Sequence, residues 1–285
     1  MSPILRILFI NIFVFSTHAF AGSWTLPKNA KQHIVTYRYY SADEFYTAQG
    51  KRRDKNGTFR KHEIEHYFEA GLTDTLTLGW SLALSHENDR QNNNDFNPLT
   101  NQTVSVSREI TLEGVSRIEP FARFQLYRDN HYALAIQPSV KFPSLYANEL
   151  PAEAQPDEWE GELALQGGRS FIWLNHSHYI DTSLGYRYRD GELGNQYRAI
   201  ATFGSYLTPK FGTLLQLQHI EAIGAIDANF ATLSGSNNFD LTKLQISGLY
   251  EILPNIALQL GGSADIDGVN TGRGTSVFSG LWFTF

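Results

Sequence analysis

The sequence predicts an all-β protein, a closed barrel of twelve antiparallel, up-and-down strands that spans a membrane. Three observations lead to this prediction. The chain starts with a leader-like segment, about twelve later stretches alternate apolar and polar residues, and the connections between those stretches alternate between short and long.

The composition excludes several classes of protein. The chain of 285 residues has no cysteine, which rules out disulfide scaffolds, cysteine-based zinc sites and thiol nucleophiles. Its net charge of −6 provides no basic surface for nucleic acid, so we expect no nucleic-acid partner. Beyond the leader there is no apolar stretch long enough for a transmembrane helix, which excludes a helical membrane protein.

The first 21 residues resemble a secretory signal peptide. Arg6 precedes an apolar stretch at 7–15, and Ala19-Phe20-Ala21 matches the small-x-small cleavage pattern. The apolar stretch has about half of the roughly 20 residues that a membrane anchor needs. We therefore predict a signal peptide over 1–21, cleaved before Gly22, and a barrel domain over 22–285.

Alternation with a period of two marks the strands. In 75–84, for example, Leu76, Leu78, Trp80, Leu82 and Leu84 share one parity. The predicted strands are 31–46, 58–72, 75–87, 104–127, 131–145, 158–172, 178–190, 196–207, 211–223, 240–252, 255–266 and 273–285. Short turns follow every second strand, and longer polar loops are predicted near 47–57, 88–103, 146–157, 191–195, 224–239 and 267–272.

An even strand number, with short turns at one rim and long loops at the other, is typical of bacterial outer-membrane barrels. Lipid cannot hydrogen-bond an open sheet edge, so a sheet that spans a membrane must close on itself. We therefore expect an outer-membrane location with both termini on the periplasmic, short-turn side. The alternative is a soluble secreted β-sandwich or barrel, whose strands also alternate.

The charged residues on the second face of each strand distinguish an outer-membrane barrel from a soluble fold. Nearly every predicted strand carries ions on the face opposite its apolar residues, and a dry sandwich core could not hold so many charges. We therefore predict that the apolar face contacts lipid and that the charged face lines the lumen. The lumen-lining candidates are Arg38, Lys61, Glu63, Glu65, Glu69, Arg117, Glu119, Arg123, Lys141, Glu160, Glu162, Asp181, Arg187, Arg189, Arg198, Lys243, Glu251 and Asp265.

The end of the chain, SVFSGLWFTF, resembles the C-terminal signature of outer-membrane barrels. The resemblance implies that Leu281, Phe283 and Phe285 form an assembly signal read by the barrel-assembly machinery. The N-terminal third, which includes GSWTLPKNAKQHIVTYRYYSADEFY, is also similar to XagA-like outer-membrane proteins of exopolysaccharide loci. The GLTDTLTLG hairpin looks like barrels associated with phenol degradation. These resemblances imply an envelope location and polymer export or small-molecule uptake.

One motif suggests zinc chemistry. Residues His62-Glu63-Ile64-Glu65-His66 match H-E-x-x-H, which on a helix brings two histidines to one metal. On a strand the same histidines lie about 13 Å apart, too far for one zinc ion. The motif runs into a strand-and-turn pattern, which favours the strand, and we expect neither a metal nor a cofactor.

A lipid-hydrolysing barrel would need a histidine that activates a serine. No histidine after the leader is followed by serine two residues later. The segment Asn175-His176-Ser177-His178 is the nearest approach, and it falls in a predicted turn. Catalytic triads need not be close in sequence, so the hypothesis stays open as an alternative.

Three functional hypotheses follow. The first is a non-enzymatic narrow channel or export accessory for polar solutes or polysaccharide, because ions line the predicted lumen. The second is a closed structural or interaction barrel, associated with exopolysaccharide production or the cell surface, in which salt bridges fill the lumen. The third is the lipid hydrolase. All three imply contact with outer-membrane lipids and lipopolysaccharide.

Overall fold

A computed structural model describes residues 22–97, 102–146, 159–190, 194–224 and 238–285, so the predicted signal peptide lies outside the described residues. The strands are β1 (Lys31–Tyr46), β2 (Arg52–Thr73), β3 (Leu76–Asn97), β4 (Gln102–Arg128), β5 (Tyr132–Lys141), β6 (Leu145–Tyr146), β7 (Glu160–Trp173), β8 (His176–Arg189), β9 (Gln196–Thr208), β10 (Phe211–Ala222), β11 (Asp240–Leu253), β12 (Ile256–Val269) and β13 (Thr271–Thr284). In the described part of the chain, no helix is long and apolar enough to cross a membrane.

The strands form one closed antiparallel sheet. β1 pairs with both β2 and β13, and the pairing of β3 with β4 completes the circle. The short strand β6 pairs with β4, as β5 does, so β5 and β6 occupy one position in the barrel. The barrel therefore has twelve strand positions, which confirms the predicted fold class.

The seam between the first and last strands is long and regular. Its register runs from Gln32 opposite Thr284 to Tyr46 opposite Thr271, with one bulge between Ala42 and Glu44. This pairing satisfies the backbone groups that an open sheet would leave unpaired in lipid.

Three predicted loops are wrong in part. Residues 88–97 continue β3 and pair with 102–111 of β4, although the polar run Asp89–Asp95 suggested an exposed loop. β2 begins at Arg52, inside the loop predicted at 47–57, and only Asn270 separates β12 from β13. Polar residues therefore do not mark a loop here: Asp89 lies within β3, is buried and contacts Lys55 at 2.6 Å.

Side-chain burial is inverted relative to a soluble protein. Leu184 is 64% exposed and Val277 is 63% exposed on the outer face, whereas the inward Arg187 is only 7% exposed. Apolar side chains that would be buried in a soluble core therefore face outward, as a lipid-facing surface requires.

Five short turns join the strands at one end of the barrel, which we name the turn end; the opposite end is the loop end. Two turns contain left-handed residues, at Leu174 and Asn175 in one and at Asn255 in the other. Both chain ends of the barrel, before β1 and after β13, lie at the turn end. The turn end is therefore where the residues before β1 can enter the lumen.

Candidate functional site in the barrel lumen

Residues 22–27, which we name the inserted segment, enter the lumen from the turn end. Ser23 and Thr25 are 0% and 2% exposed, and the Trp24 and Leu26 side chains are buried as well. The sequence contains no signal for this placement, because GSWTLP neither alternates nor carries a charge. The inserted segment narrows the lumen at this end.

Hydrogen bonds from distant strands hold the inserted segment. The backbone N–H and the hydroxyl of Ser23 donate to Asp181 Oδ2 at 2.7 and 2.8 Å. The Thr25 N–H donates to Gln125 Oε1 at 2.9 Å, and the Leu26 N–H donates to Thr77 Oγ1 at 2.8 Å. These bonds satisfy backbone donors that would otherwise be buried without partners.

Two inward glycines make room for the inserted segment. The Trp24 ring lies over Gly168, so that a Cβ atom there would overlap the ring. A Cβ atom on Gly71 would lie 2.7 Å from the Leu26 carbonyl oxygen and would also overlap the Pro27 carbonyl. Both positions therefore exclude any larger residue while the segment is in place.

A fully buried ion pair lies beside the inserted segment. Arg123 and Glu69, whose side chains are 1% and 0% exposed, form a 2.7 Å contact. Arg123 also donates to Gln166 at 3.0 Å and to the Trp24 carbonyl at 3.3 Å, and Tyr67 donates to Glu69. The pair thus joins the wall of the barrel to the segment inside it.

Arg187 is the centre of a second ionic cluster nearer the loop end. Its three nitrogens contact Glu119, Glu160 and Glu162, each at 2.7 Å. Glu160 is also within 3.0 Å of Lys141 and 3.7 Å of Arg189, and Glu162 is within 2.6 Å of Arg198. This cluster connects β4, β5, β7, β8 and β9 across the lumen surface.

Small residues allow long side chains to pair across an intervening strand. Arg198 of β9 reaches Glu162 of β7 over Gly185, whose added Cβ would lie 2.7 Å from Glu162 Oε1. Arg117 of β4 reaches Glu65 of β2 at 2.9 Å, over the fully buried Ala83 of β3. Two strands that flank a third lie about 9.6 Å from each other, and only a long side chain covers that distance.

The other candidates lie in smaller groups. Lys61 contacts Glu63 at 2.9 Å and Glu87 at 3.1 Å. Lys243 is 3.7 Å from Asp265, which accepts a hydrogen bond from Tyr40 at 2.7 Å. Arg38 donates to Gln245 and Ser276 rather than to a carboxylate among the described contacts.

The two large charge clusters and most of the neutral groups occupy different sides of the lumen, although Arg38 and the pair of Lys243 with Asp265 lie on the neutral side. The clusters around Arg123 and Arg187 lie on β2–β9. At mid-depth, β9–β13 present amides and hydroxyls instead, a set that we name the neutral wall and that comprises Thr202, Gln216, Gln245, Ser247, Gln259 and Ser276. Gln216 donates to Thr202 at 3.1 Å, and Gln259 donates to Ser247 at 2.8 Å. The charge pattern of the sequence does not reveal this wall, because its members are uncharged.

An apolar recess lies below the neutral wall at the turn end. Leu249, Ala257 and Trp282 line it, together with Glu251 and Lys210 near its edge. Ile34 packs with Leu249 and Trp282 in the same region. The predicted lumen residue Glu251 thus lies at the turn-end mouth, away from the ionic clusters.

The histidines of the H-E-x-x-H pattern lie on the outer face of β2. His62 bonds with the Tyr37 hydroxyl at 2.8 Å, whereas His66 bonds with His33 at 3.1 Å. The strand conformation predicted for this motif is therefore correct. Within the described ranges, no group of three or more potential ligands could hold a metal ion.

A further histidine meets a hydroxyl on the outer face. His219 Nδ1 lies 2.9 Å from Thr242 Oγ1, a pair that sequence spacing did not reveal. A nucleophilic pair also needs a group that orients the imidazole. The hydrogen bonds of the described residues include no such third partner for His219.

Comparisons with known proteins place the fold. No protein-family model matches the chain, and no curated protein matches it either. The COG4313 outer membrane channel from Pseudomonas putida F1 is similar, with 15% identity, a TM-score of 0.67, and coverage of 93% of this chain and 99% of that chain. A NanC porin has 10% identity, a TM-score of 0.49, and coverage of 88% and 98%.

The translocator domain of the autotransporter NalP from Neisseria meningitidis has 10% identity, a TM-score of 0.49, and coverage of 91% of this chain and 90% of that chain. The expected similarity to XagA-like proteins is not among these findings and stays an expectation. The similarity to the Pseudomonas channel extends over nearly all of both chains, and the chain has the fold of a bacterial outer-membrane β-barrel.

Proposed function

We propose that the protein is a narrow, non-enzymatic channel of the outer membrane for small uncharged polar solutes. Its turn end and both termini face the periplasm. The observation that supports this most directly is the row of amides and hydroxyls on β9–β13, opposite a side of the lumen whose charges are paired. Paired charges are expensive to separate, so they favour a fixed structure rather than a moving ion.

The neutral wall provides what an uncharged solute needs. Amides and hydroxyls exchange weak, repeated hydrogen bonds with a passing solute, as conduction requires. Arg38 adds one charged donor beside Gln245 and Ser276. Gln216 and Gln245 are only partly buried, and their amides already bond with Thr202 and Arg38, respectively. The channel solved from Pseudomonas putida F1 has a similar fold, which is consistent with transport.

Liposome swelling tests the proposal. Purified wild-type barrel in vesicles should admit a monosaccharide-sized, uncharged sugar faster than empty vesicles do. Gln216→Trp places a large ring in the lumen and should slow the sugar several-fold. Leu217→Trp is the matched control, because Leu217 lies on the same strand, faces outward and is 43% exposed. Equal effects of the two variants would contradict the path along the neutral wall.

The second candidate is a closed structural barrel. The inserted segment and the buried pair of Arg123 with Glu69 favour it, because together they occupy part of the lumen at the turn end. A wild-type protein that is folded but gives no swelling above empty vesicles, and no conductance in a planar bilayer, would support this candidate and overturn the channel.

A further inference from the structure

Asp181 is a carboxylate buried inside the barrel beside the start of the described chain. It is 8% exposed, and both hydrogen bonds from Ser23 end on its Oδ2 atom. An ionised carboxylate in such a place requires compensation by a cation or by several donors. The inserted segment is therefore held at a site that carries negative charge.

The nearby side chains do not provide that cation. Arg123 lies in the same part of the lumen, but its guanidinium is bound to Glu69 at 2.7 Å. The ion pairs formed by Lys, Arg and His side chains of the described residues do not include Asp181. A positive charge from another source would complete the site.

Gly22, next to Ser23, also lies close to the carboxylate. A Cβ atom built on Gly22 would be 2.6 Å from Asp181 Oδ2 and 3.4 Å from Oδ1. The backbone nitrogen of a residue is about 2.5 Å from its Cβ position, so the Gly22 nitrogen lies within about 5 Å of Oδ2. An opposite charge within about 4–6 Å stabilises an ionised carboxylate, so a positive charge on this nitrogen would act on Asp181.

We propose that cleavage of the Ala21–Gly22 peptide bond creates the missing cation, so that the α-ammonium of Gly22 forms an ion pair with Asp181 and locks the inserted segment in the lumen. Water supplies the atoms of the step: its oxygen joins the Ala21 carbonyl carbon as a carboxylate, and the released Gly22 nitrogen takes up protons. Before cleavage the same nitrogen is an uncharged amide. The inserted segment therefore gains this ionic contact only after processing.

This inference does not depend on the proposed transport. It requires only cleavage before Gly22 and a folded barrel, so its test uses no solute. It also accounts for a glycine at position 22, since a side chain there would overlap the Asp181 carboxylate.

Amine labelling of the processed protein tests the ion pair. The full chain is expressed with its leader, purified from outer membranes and weighed intact, and the mass should correspond to a chain that starts at Gly22. An aldehyde reagent selective for N-terminal α-amines should then react slowly with the folded wild type. Asp181→Asn should react about tenfold faster or more, because loss of one partner releases a buried ion pair.

Two further variants separate the ion pair from a purely structural effect. Asp129→Asn removes a carboxylate in an exposed turn and should leave the labelling rate at the wild-type value. Insertion of one glycine after Ala21 keeps Asp181 but moves the amine by about 3.4 Å, and labelling should again accelerate. Heat-dependent migration in electrophoresis confirms folding of each variant.

Two results would overturn the proposal. One is a mature mass that starts at a residue other than Gly22. The other is an equal labelling rate in folded wild type and folded Asp181→Asn. If Asp181→Asn does not fold, an equal labelling rate in wild type and the glycine insertion has the same meaning.

Discussion

Gly168 controls the position of the inserted segment through its lack of a side chain. The Trp24 ring occupies the space where a Cβ atom would lie. Gly168→Val should therefore displace the segment, since overpacking a tight site costs about 1–3 kcal/mol. The chain has no cysteine, so Leu26→Cys gives a single thiol that is buried while the segment stays in place.

The measurement is the rate at which a maleimide reacts with that thiol. Gly168→Val should raise the rate by about tenfold, the factor that corresponds to 1.4 kcal/mol. Gly161→Val is the matched control, because Gly161 lies on the same strand and an added Cβ there meets no atom within 4 Å. An unchanged rate in the folded Gly168 variant would show that Trp24 does not hold the segment.

At the scale of elements, the ion pair of Glu69 on β2 with Arg123 on β4 should contribute to the free energy of unfolding. Arg123→Met leaves the Glu69 carboxylate buried without its cation, and such a loss typically costs about 3–5 kcal/mol. Urea unfolding of the refolded barrel should show a decrease of that size. The outward and exposed Arg169→Met should have little effect.

A double variant distinguishes the pair from the arginine alone. Arg123→Met combined with Glu69→Gln removes both charges, and it should recover part of the stability lost in the single variant. If the double variant is as unstable as the sum of the two singles, the contacts of Arg123 with Trp24 and Gln166 dominate instead.

The elements also show what the sequence can predict. The alternation predicts every barrel position because lipid contact imposes a strict period of two on the outer face. The same rule fails for residues 88–97, where every residue except Phe96 is polar and no apolar alternation remains. The inserted segment could not be predicted, because its partners Gln125 and Asp181 lie about 100 and 158 residues further along the chain.

For the candidate site, the sequence predicted the charged residues but not their partners. The pairing register of neighbouring strands decides which charged residues become partners. Glu162 lies directly opposite Arg187, and Lys61 lies directly opposite Glu87. Pairs that cross an intervening strand, such as Arg117 with Glu65, depend on a small residue at Ala83 as well. The expectation that these charges line a conducting pore stays a prediction until transport is measured.

At the scale of the whole molecule, the last residue joins the two ends of the barrel. Phe285 and Lys31 exchange two backbone hydrogen bonds of 2.9 Å, and the Phe285 ring is 70% exposed. An exposed ring contributes little to packing, so deletion of Phe285 should lower the free energy of unfolding by only about 2 kcal/mol, from the two hydrogen bonds.

The resemblance of the C-terminal strand to an assembly signal predicts a much larger effect in cells. Deletion of Phe285 should reduce the amount of folded barrel in outer membranes several-fold, while refolding into detergent stays efficient. Leu207→Ala is the control, because it also removes an exposed apolar side chain, 44% exposed, near the turn end. A deletion that reduces yield equally in cells and in detergent would mean that Phe285 acts through stability, since a recognition signal matters only where the assembly machinery is present.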